Sequence, residues 1–122
     1  TDCNRALDMP DGHYMIGPRD GGEPLRKHDG VGMLPDLSAL ASSVAGMDEM
    51  VRTFVTLTGR PIHEAIRMAS LTPARIAGHD RDLGSLERGK RADIVILDRD
   101  LHTQRVFIDG RELQLTCPAN VS

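Results

Sequence analysis

The sequence predicts an α/β protein, and three patterns carry this prediction. Apolar residues recur at helical spacing over residues 47–58 and define one buried face. An uninterrupted β-prone run at residues 94–97 is typical of a strand that is covered on both faces. Asp109-Gly110 separates two runs of alternating apolar residues, which predicts a hairpin with a type I′ turn.

The remaining elements follow from turn residues and from shorter apolar patterns. Proline and glycine clusters bound three short strands, and residues 35–46 form a loop before the first helix. Two more helices follow, and glycines end the first and third helices. The second helix is predicted to bury a stripe of Ile62, Ala65, Ile66 and Ala69. The predicted strands are 13–16, 24–28, 31–34, 92–98, 104–108 and 111–115, and the predicted helices are 47–58, 61–70 and 72–77.

Composition limits the classes of protein to be considered. The 122 residues contain 15 Lys+Arg and 18 Asp+Glu, a net charge of −3, so no basic patch for nucleic acid is expected. No apolar run approaches the ~20 residues of a membrane span. Cys3 and Cys117 do not make a disulfide scaffold, so we expect both to be reduced, in a cytoplasmic protein without a signal peptide. Because the chain opens at Thr1-Asp2 without methionine, we expect a piece of a longer protein.

Residues 70–98 form the most specific stretch. Thr72 is a candidate helix cap, Pro73 suits the first turn, and Gly78 can end the helix in a left-handed conformation. Residues 83–90 form an apolar-Gly-Ser-apolar unit with a charged, solvated turn. Any α/β domain can contain one of these pieces. Their order resembles the C-terminal signature of the metal-dependent amidohydrolase superfamily, in which an "NPAR"-like helix precedes a "G-x-L-x-x-G-x-x-AD" entry into a final β-sandwich.

The N-terminal residues extend the resemblance. Thr1-Asp2-Cys3, followed by Met-Pro-Asp-Gly at residues 9–12, is similar to the "TDA…(M/L)PDG" stretch of the N-acetylglucosamine-6-phosphate deacetylase family. The match implies that Asp2 lies at the C-terminal end of the eighth barrel strand and faces a divalent metal. Asp2 would then be the catalytic carboxylate that takes a proton from metal-bound water and passes it to the leaving amine. The alternative is a solvated turn residue.

A second match concerns substrate binding. Leu40-Ala41-Ser42-Ser43 resembles the family's "LAGS" segment, in which backbone groups contact the sugar. The resemblance implies that Leu40, Ala41 and Ser42 bind substrate, with Ser42 in place of the usual glycine. The alternative is a small-residue lead-in to the first helix. Residues 46–52 and 64–70 also resemble the family's helices, and residues 13–39 are the least similar part.

The resemblance also implies the architecture and the cofactor of the parent enzyme. The parent fold would be a metal-dependent (β/α)₈ barrel with a small β-sandwich. Residues 1–78 would supply the end of barrel strand 8, its loop and the C-terminal helices, and residues 79–122 would supply sandwich strands and a tail. A zinc- or iron-type divalent metal would be held by a glutamate and two histidines from earlier strands. The five histidines here lack ligand spacing, so this chain alone should bind no metal.

The implied reaction is hydrolysis of N-acetylglucosamine 6-phosphate to glucosamine 6-phosphate and acetate. Its partners would be an amino sugar phosphate substrate and, in the full-length parent, further copies of itself as a homo-oligomer, with no nucleic acid or membrane partner. The chain by itself should be inactive, because it lacks the metal ligands. Two alternatives stay open: another amidohydrolase, such as a cyclic-amide hydrolase or a deaminase, and a non-catalytic interaction module. The module predicts helix faces that are covered within the chain.

Overall fold

The computed structural model describes residues 2–18 and 20–114, which form six strands and three helices. The predictions for Cys117, for the tail and for the end of the last strand at Leu115 lie outside the described residues. In chain order the elements are β1 (Gly12–Ile16), β2 (Glu23–His28), β3 (Val31–Met33), α1 (Met47–Thr58), α2 (Ile62–Ala69), α3 (Leu71–Ile76), β4 (Ile94–Leu97), β5 (Thr103–Ile108) and β6 (Arg111–Leu113).

The predicted helices are all present, and one cap is wrong. Helix α1 has the predicted bounds, with two acidic residues in its first turn where the helix dipole favours negative charge. Thr72 does not cap α3, which begins at Leu71 with Ser70 in the cap position. Only Ser70 separates α2 from α3, so Thr72 already lies inside the helix. The Ser70 hydroxyl instead donates back to the Ile66 carbonyl at 2.6 Å.

Contacts between Cα atoms divide the chain into two compact units, Thr1–Met50 and Val51–Ser122. The predicted division after residue 78 concerns domains of the parent enzyme and stays a prediction. In the first unit, β1, β2 and β3 form an antiparallel sheet in that order. Leu25 pairs with Tyr14 across β1 and β2 and is fully buried. The core of this unit consists of Ala6, Leu25, Ala41 and Val44, with Tyr14 and Ile16 packed against it.

The second unit contains the antiparallel sheet β4-β5-β6. Asp109 and Gly110 have φ values of 51° and 74°, as a type I′ turn requires, which confirms the predicted hairpin. The prediction that β4 is covered on both faces is wrong for the described residues, since Val95 is 56% and Ile96 40% exposed. The apolar run identified the strand, but it could not indicate whether this chain covers it.

The helices also expose much of their apolar surface. Ala65 of α2 is buried, but Ile62 and Ile66 of the predicted buried stripe are exposed. The exposed large apolar side chains of the three helices are Met47, Met50, Leu57, Ile62, Ile66, Met68 and Ile76. Periodicity therefore predicted the apolar faces correctly, and their exposure is what a piece of a larger barrel predicts. None of the helices described has the length and apolar character needed to cross a lipid bilayer.

The charged turn after α3 is organised by a lysine that the sequence interpretation placed in solvent. The Lys90 side chain is only 10% exposed. Its ammonium group donates to the Asp80 carbonyl and to the Ser85 hydroxyl, each at 2.5 Å. It also forms an ion pair with Glu87 at 3.4 Å. The prediction that the charged run of residues 87–91 is wholly solvated is therefore wrong at Lys90. This lysine stabilises the loop of residues 80–90.

Candidate functional site

Asp2 is the predicted catalytic residue, and its side chain is exposed. Its backbone is left-handed, with φ at 54°, a conformation that aspartate tolerates better than most residues. Among the described residues its carboxylate forms no hydrogen bond or ion pair. Within the described part of the chain, both carboxylate oxygens are therefore open to a water molecule or a substrate.

The backbone of Asp2 is fastened to the predicted substrate-binding segment. The Ser42 hydroxyl donates to the Asp2 carbonyl oxygen at 2.7 Å, and the Ser43 amide donates to the same oxygen at 3.3 Å. Cys3 and Ser43 form an isolated parallel β-bridge, and the Asn4 amide donates to the Ser43 carbonyl at 2.9 Å. The structure thus joins two predicted sites that lie about forty residues apart in the sequence.

The segment of Leu40, Ala41 and Ser42 has one exposed, one buried and one left-handed residue. Leu40 is 75% exposed and forms an isolated bridge with Met33. Ala41 is buried, and its amide donates to the Gly32 carbonyl at 2.8 Å. Ser42 has φ at 59°, where glycine is the residue without a steric penalty. This backbone conformation gives a physical reason for the glycine of the "LAGS" pattern.

Gly32 packs directly against this segment, and the sequence analysis did not identify it as a candidate site residue. A Cβ atom at Gly32 would lie 2.8 Å from the Ala41 carbonyl oxygen and 3.1 Å from that of Ser42. The available signal was a glycine inside a short strand, where it often marks a close backbone approach. Gly32 therefore allows β3 and the substrate-binding segment to pack closely.

Replacing Gly32 by alanine is expected to destabilise the chain by about 1–3 kcal/mol, the usual cost of overpacking a tight contact. Urea unfolding of the full chain measures the change. Gly12→Ala is the matched control, because a Cβ at this strand glycine meets only Tyr14, at 3.6 Å or more. Equal effects of the two substitutions would contradict the role assigned to Gly32.

The Met-Pro-Asp-Gly motif is held by hydrogen bonds from the neighbouring hairpin. Lys27 donates to the carbonyl oxygens of Ala6 at 3.1 Å and Met9 at 2.7 Å. The Tyr14 hydroxyl donates to the Pro10 carbonyl at 2.5 Å. Lys27 could not be found from the sequence, since nothing local links it to a loop about twenty residues away. The motif thus has an ordered backbone on the same unit as Asp2.

Asp11 of this motif forms a candidate cation site with two side chains of the hairpin, His28 and Asp29. The ligand atoms of Asp11, His28 and Asp29 lie within 4.8 Å of one another, and all three residues are exposed. His28 Nδ1 lies 3.9 Å from Asp11 Oδ2, and His28 Nε2 lies 3.6 Å from Asp29 Oδ2. The same Asp11 oxygen accepts the Asp29 amide at 2.6 Å. With one histidine and no glutamate, this group does not fit the ligand set implied by the resemblance.

The loop before Leu40 carries a carboxylate whose charge is locally stabilised. The Ser38 hydroxyl and amide donate to Asp36 at 2.7 and 3.1 Å. These two hydrogen bonds hold the pKa of Asp36 below its ordinary value, and the bond from the hydroxyl has the larger effect. The Asp36 carboxylate therefore orders the turn that leads into the predicted substrate-binding segment.

The fold and the motifs on it define a hydrolase family. The model of the amidohydrolase family matches residues 28–113, and the chain belongs to this family. An N-acetylgalactosamine-6-phosphate deacetylase of Escherichia coli O157:H7 is 46% identical over 111 residues, which are 91% of this chain and 28% of that protein. An N-acetylglucosamine-6-phosphate deacetylase of Rattus norvegicus is 34% identical over 111 residues, 90% of this chain and 26% of that protein.

A solved structure is similar over the same extent. The N-acetylglucosamine-6-phosphate deacetylase of Pasteurella multocida matches with a TM-score of 0.82 and 26% identity, over 93% of this chain and 28% of that one. The chain thus spans 26–28% of the length of these three proteins. The predicted family is confirmed. The fold is a fragment of the amidohydrolase fold with mixed helices and strands, and the barrel and sandwich assignments stay predictions.

Proposed function

We propose that this chain is the C-terminal part of a metal-dependent deacetylase that removes the N-acetyl group from a 6-phosphorylated amino sugar. The observation that carries the proposal is the contact of Asp2 with Ser42 and Ser43. It supports the proposal because the Asp2 backbone is hydrogen-bonded to the segment that resembles the sugar-binding segment of the family, and the Asp2 carboxylate has no partner among the described residues.

Asp2 acts as general base and then as general acid in the proposed reaction. Its carboxylate accepts a proton from the water that attacks the acetamide carbonyl carbon. The same proton passes to the amine nitrogen as the carbon–nitrogen bond breaks, which releases acetate and the free amino sugar phosphate. The backbone of Leu40, Ala41 and Ser42 contacts the sugar, and the close packing of Gly32 holds that backbone in place.

The zinc- or iron-type metal is assigned no ligand in this chain. Over residues 2–18 and 20–114, Asp11, His28 and Asp29 are the only group of three potential ligands, and they do not fit the expected glutamate and two histidines. We therefore place the metal ligands in the part of the parent enzyme that this chain does not match, and we derive no step through the metal here.

The exposed apolar faces support a part of a larger enzyme over a self-contained interaction module. Such a module would cover its helix faces internally, whereas Leu57 and Ile76 are 80% and 84% exposed. In the proposed parent, residues 1–78 belong to the (β/α)₈ barrel and residues 79–122 to the β-sandwich. The cytoplasmic location and the homo-oligomeric state belong to the same proposal.

The primary substrate proposal is N-acetylglucosamine 6-phosphate. A second candidate is N-acetylgalactosamine 6-phosphate, because identity to the Escherichia coli O157:H7 relative is 46% against 34% for the rat relative. Both substrates carry the same acetamide and phosphate, so one mechanism serves both. The two differ in the configuration of one ring hydroxyl, which the contacts to the sugar must distinguish.

A grafted enzyme tests this proposal. In it the full 122-residue chain replaces the matched segment of the Escherichia coli O157:H7 relative. We expect the grafted enzyme to release acetate from both sugar phosphates, and the ratio of the two kcat/KM values, against that of the unmodified relative, measures the epimer preference. The isolated chain is expected to release none. Turnover by the isolated chain, or a folded grafted enzyme that hydrolyses only a cyclic amide, would contradict the proposal.

A further inference from the structure

We propose that Ser42 is a positioning residue, whose hydroxyl holds the backbone of Asp2 so that the carboxylate points at the reacting groups. This inference rests on the proposed catalytic function of Asp2. It assigns to the Ser42 side chain a role distinct from the backbone contact with the sugar.

The first observation is the conformational cost at Ser42. With φ at 59°, the residue adopts a left-handed conformation that costs an L-residue roughly 1–2 kcal/mol and costs glycine almost nothing. A glycine at this position would therefore fold more readily. A serine makes a contact that glycine cannot make, the 2.7 Å hydrogen bond from its hydroxyl to the Asp2 carbonyl.

The second observation is how few contacts hold Asp2 in the described residues. Asp2 lies outside the regular strands and has a left-handed backbone of its own. Its carbonyl accepts the Ser43 amide at the longer distance of 3.3 Å, while its side chain has no partner within residues 2–18 and 20–114. The hydrogen bond from the Ser42 hydroxyl is therefore the shorter of the two that hold the Asp2 carbonyl and, through it, the backbone from which the side chain extends.

The third observation links the bond to substrate binding. Ser42 belongs to the segment whose backbone is proposed to contact the sugar. The buried Ala41 before it donates a hydrogen bond from its amide to the Gly32 carbonyl. A sugar that orders this backbone would also order the hydroxyl that holds Asp2. Substrate binding and carboxylate orientation are thus coupled through one residue.

Two substitutions in the grafted enzyme separate the hydroxyl from the backbone. Ser42→Ala removes the donor and keeps the strain, whereas Ser42→Gly removes the donor and relieves the strain. We expect both to lower kcat by about 10- to 100-fold, because a misplacement of ~1 Å can cost about 10²-fold. KM should stay within about twofold, since backbone contacts remain, and Ser42→Gly should raise the Tm relative to Ser42→Ala. Ser70→Ala is the matched control, because this hydroxyl also donates to a backbone carbonyl, that of Ile66 at 2.6 Å, and lies in the other compact unit.

A purely structural role predicts a different result. Activity would then follow the Tm, so Ser42→Gly would retain kcat, and this outcome would overturn the proposal. Hydrogen exchange of the Ser43 amide gives a second readout that needs no turnover, and Ser42→Ala should speed it while Ser70→Ala leaves it unchanged. Unchanged exchange in Ser42→Ala overturns the proposal. Faster exchange in a folded grafted enzyme without deacetylase activity would contradict the proposed function, and with it the catalytic meaning of the bond.

Discussion

Asp2→Asn in the grafted enzyme is expected to lower kcat by roughly 10²–10⁴-fold, the usual contribution of a general acid–base residue. The amide cannot accept the proton of the attacking water, so the first step loses its base. Asparagine tolerates the left-handed backbone at φ 54°, so the fold should be unaffected. Acetate release at saturating sugar phosphate measures kcat, and the Tm verifies that the variant is folded.

Asp8→Asn provides the matched control. Asp8 lies a few residues further along the same loop, is exposed, and also has a left-handed backbone with φ at 56°. Among the described residues it has no hydrogen bond or ion pair through its carboxylate. We expect its kcat to remain within about twofold of the parent. An equal loss in both variants would mean that loop charge, and not Asp2 as a base, sets the rate.

Local patterns predicted the elements well. The bounds of α1 were correct because its apolar spacing, its acidic first turn and its terminal glycine all indicate the same helix. The prediction of the Asp109-Gly110 turn was correct because a type I′ turn needs positive φ at both central residues, and few residue pairs other than Asp-Gly tolerate this. The prediction of Thr72 as the cap of α3 was wrong because Ser70, two residues earlier, lies between the two helices and takes the cap position.

Contacts between distant residues could not be predicted in the same way. Asp2 and Ser42 were each identified by resemblance, but nothing in either local sequence predicts their hydrogen bond. Lys90 was placed in solvent because its neighbours are charged, and only the folded loop shows three acceptors around its ammonium group. Apolar periodicity likewise identifies the face of α2, but it does not identify what packs on that face.

The stretch that resembles the family signature and the proposed catalytic residues lie in different parts of the chain. The stretch of residues 70–98 that resembles the family signature contains a lysine whose side chain is only 10% exposed and a closely packed glycine, and both stabilise the fold. The proposed catalytic and substrate-binding residues, Asp2 and Ser42, lie outside this stretch. A motif can therefore identify a family strongly because its packing tolerates few residues, while the proposed reacting group lies elsewhere in the chain.

Gly84→Ala tests the structural role of this stretch and is expected to destabilise the chain by roughly 2–5 kcal/mol. The residue is left-handed, with φ at 84°, and a Cβ atom would lie 2.8 Å from the Ala74 Cβ and 3.0 Å from the Leu71 Cα. Backbone strain of roughly 1–2 kcal/mol and overpacking of roughly 1–3 kcal/mol therefore act together. Urea unfolding of the full chain measures the loss.

Gly89→Ala isolates the packing contribution. Gly89 has a similar φ of 92°, but nothing lies within 4 Å of the added Cβ, so only the backbone strain remains. We expect Gly89→Ala to cost roughly 1–2 kcal/mol, less than Gly84→Ala. The difference between the two losses measures the clash with α3. Equal losses would show that α3 can move away from the added methyl group, and the close approach of Gly84 would then not explain why the motif has glycine there.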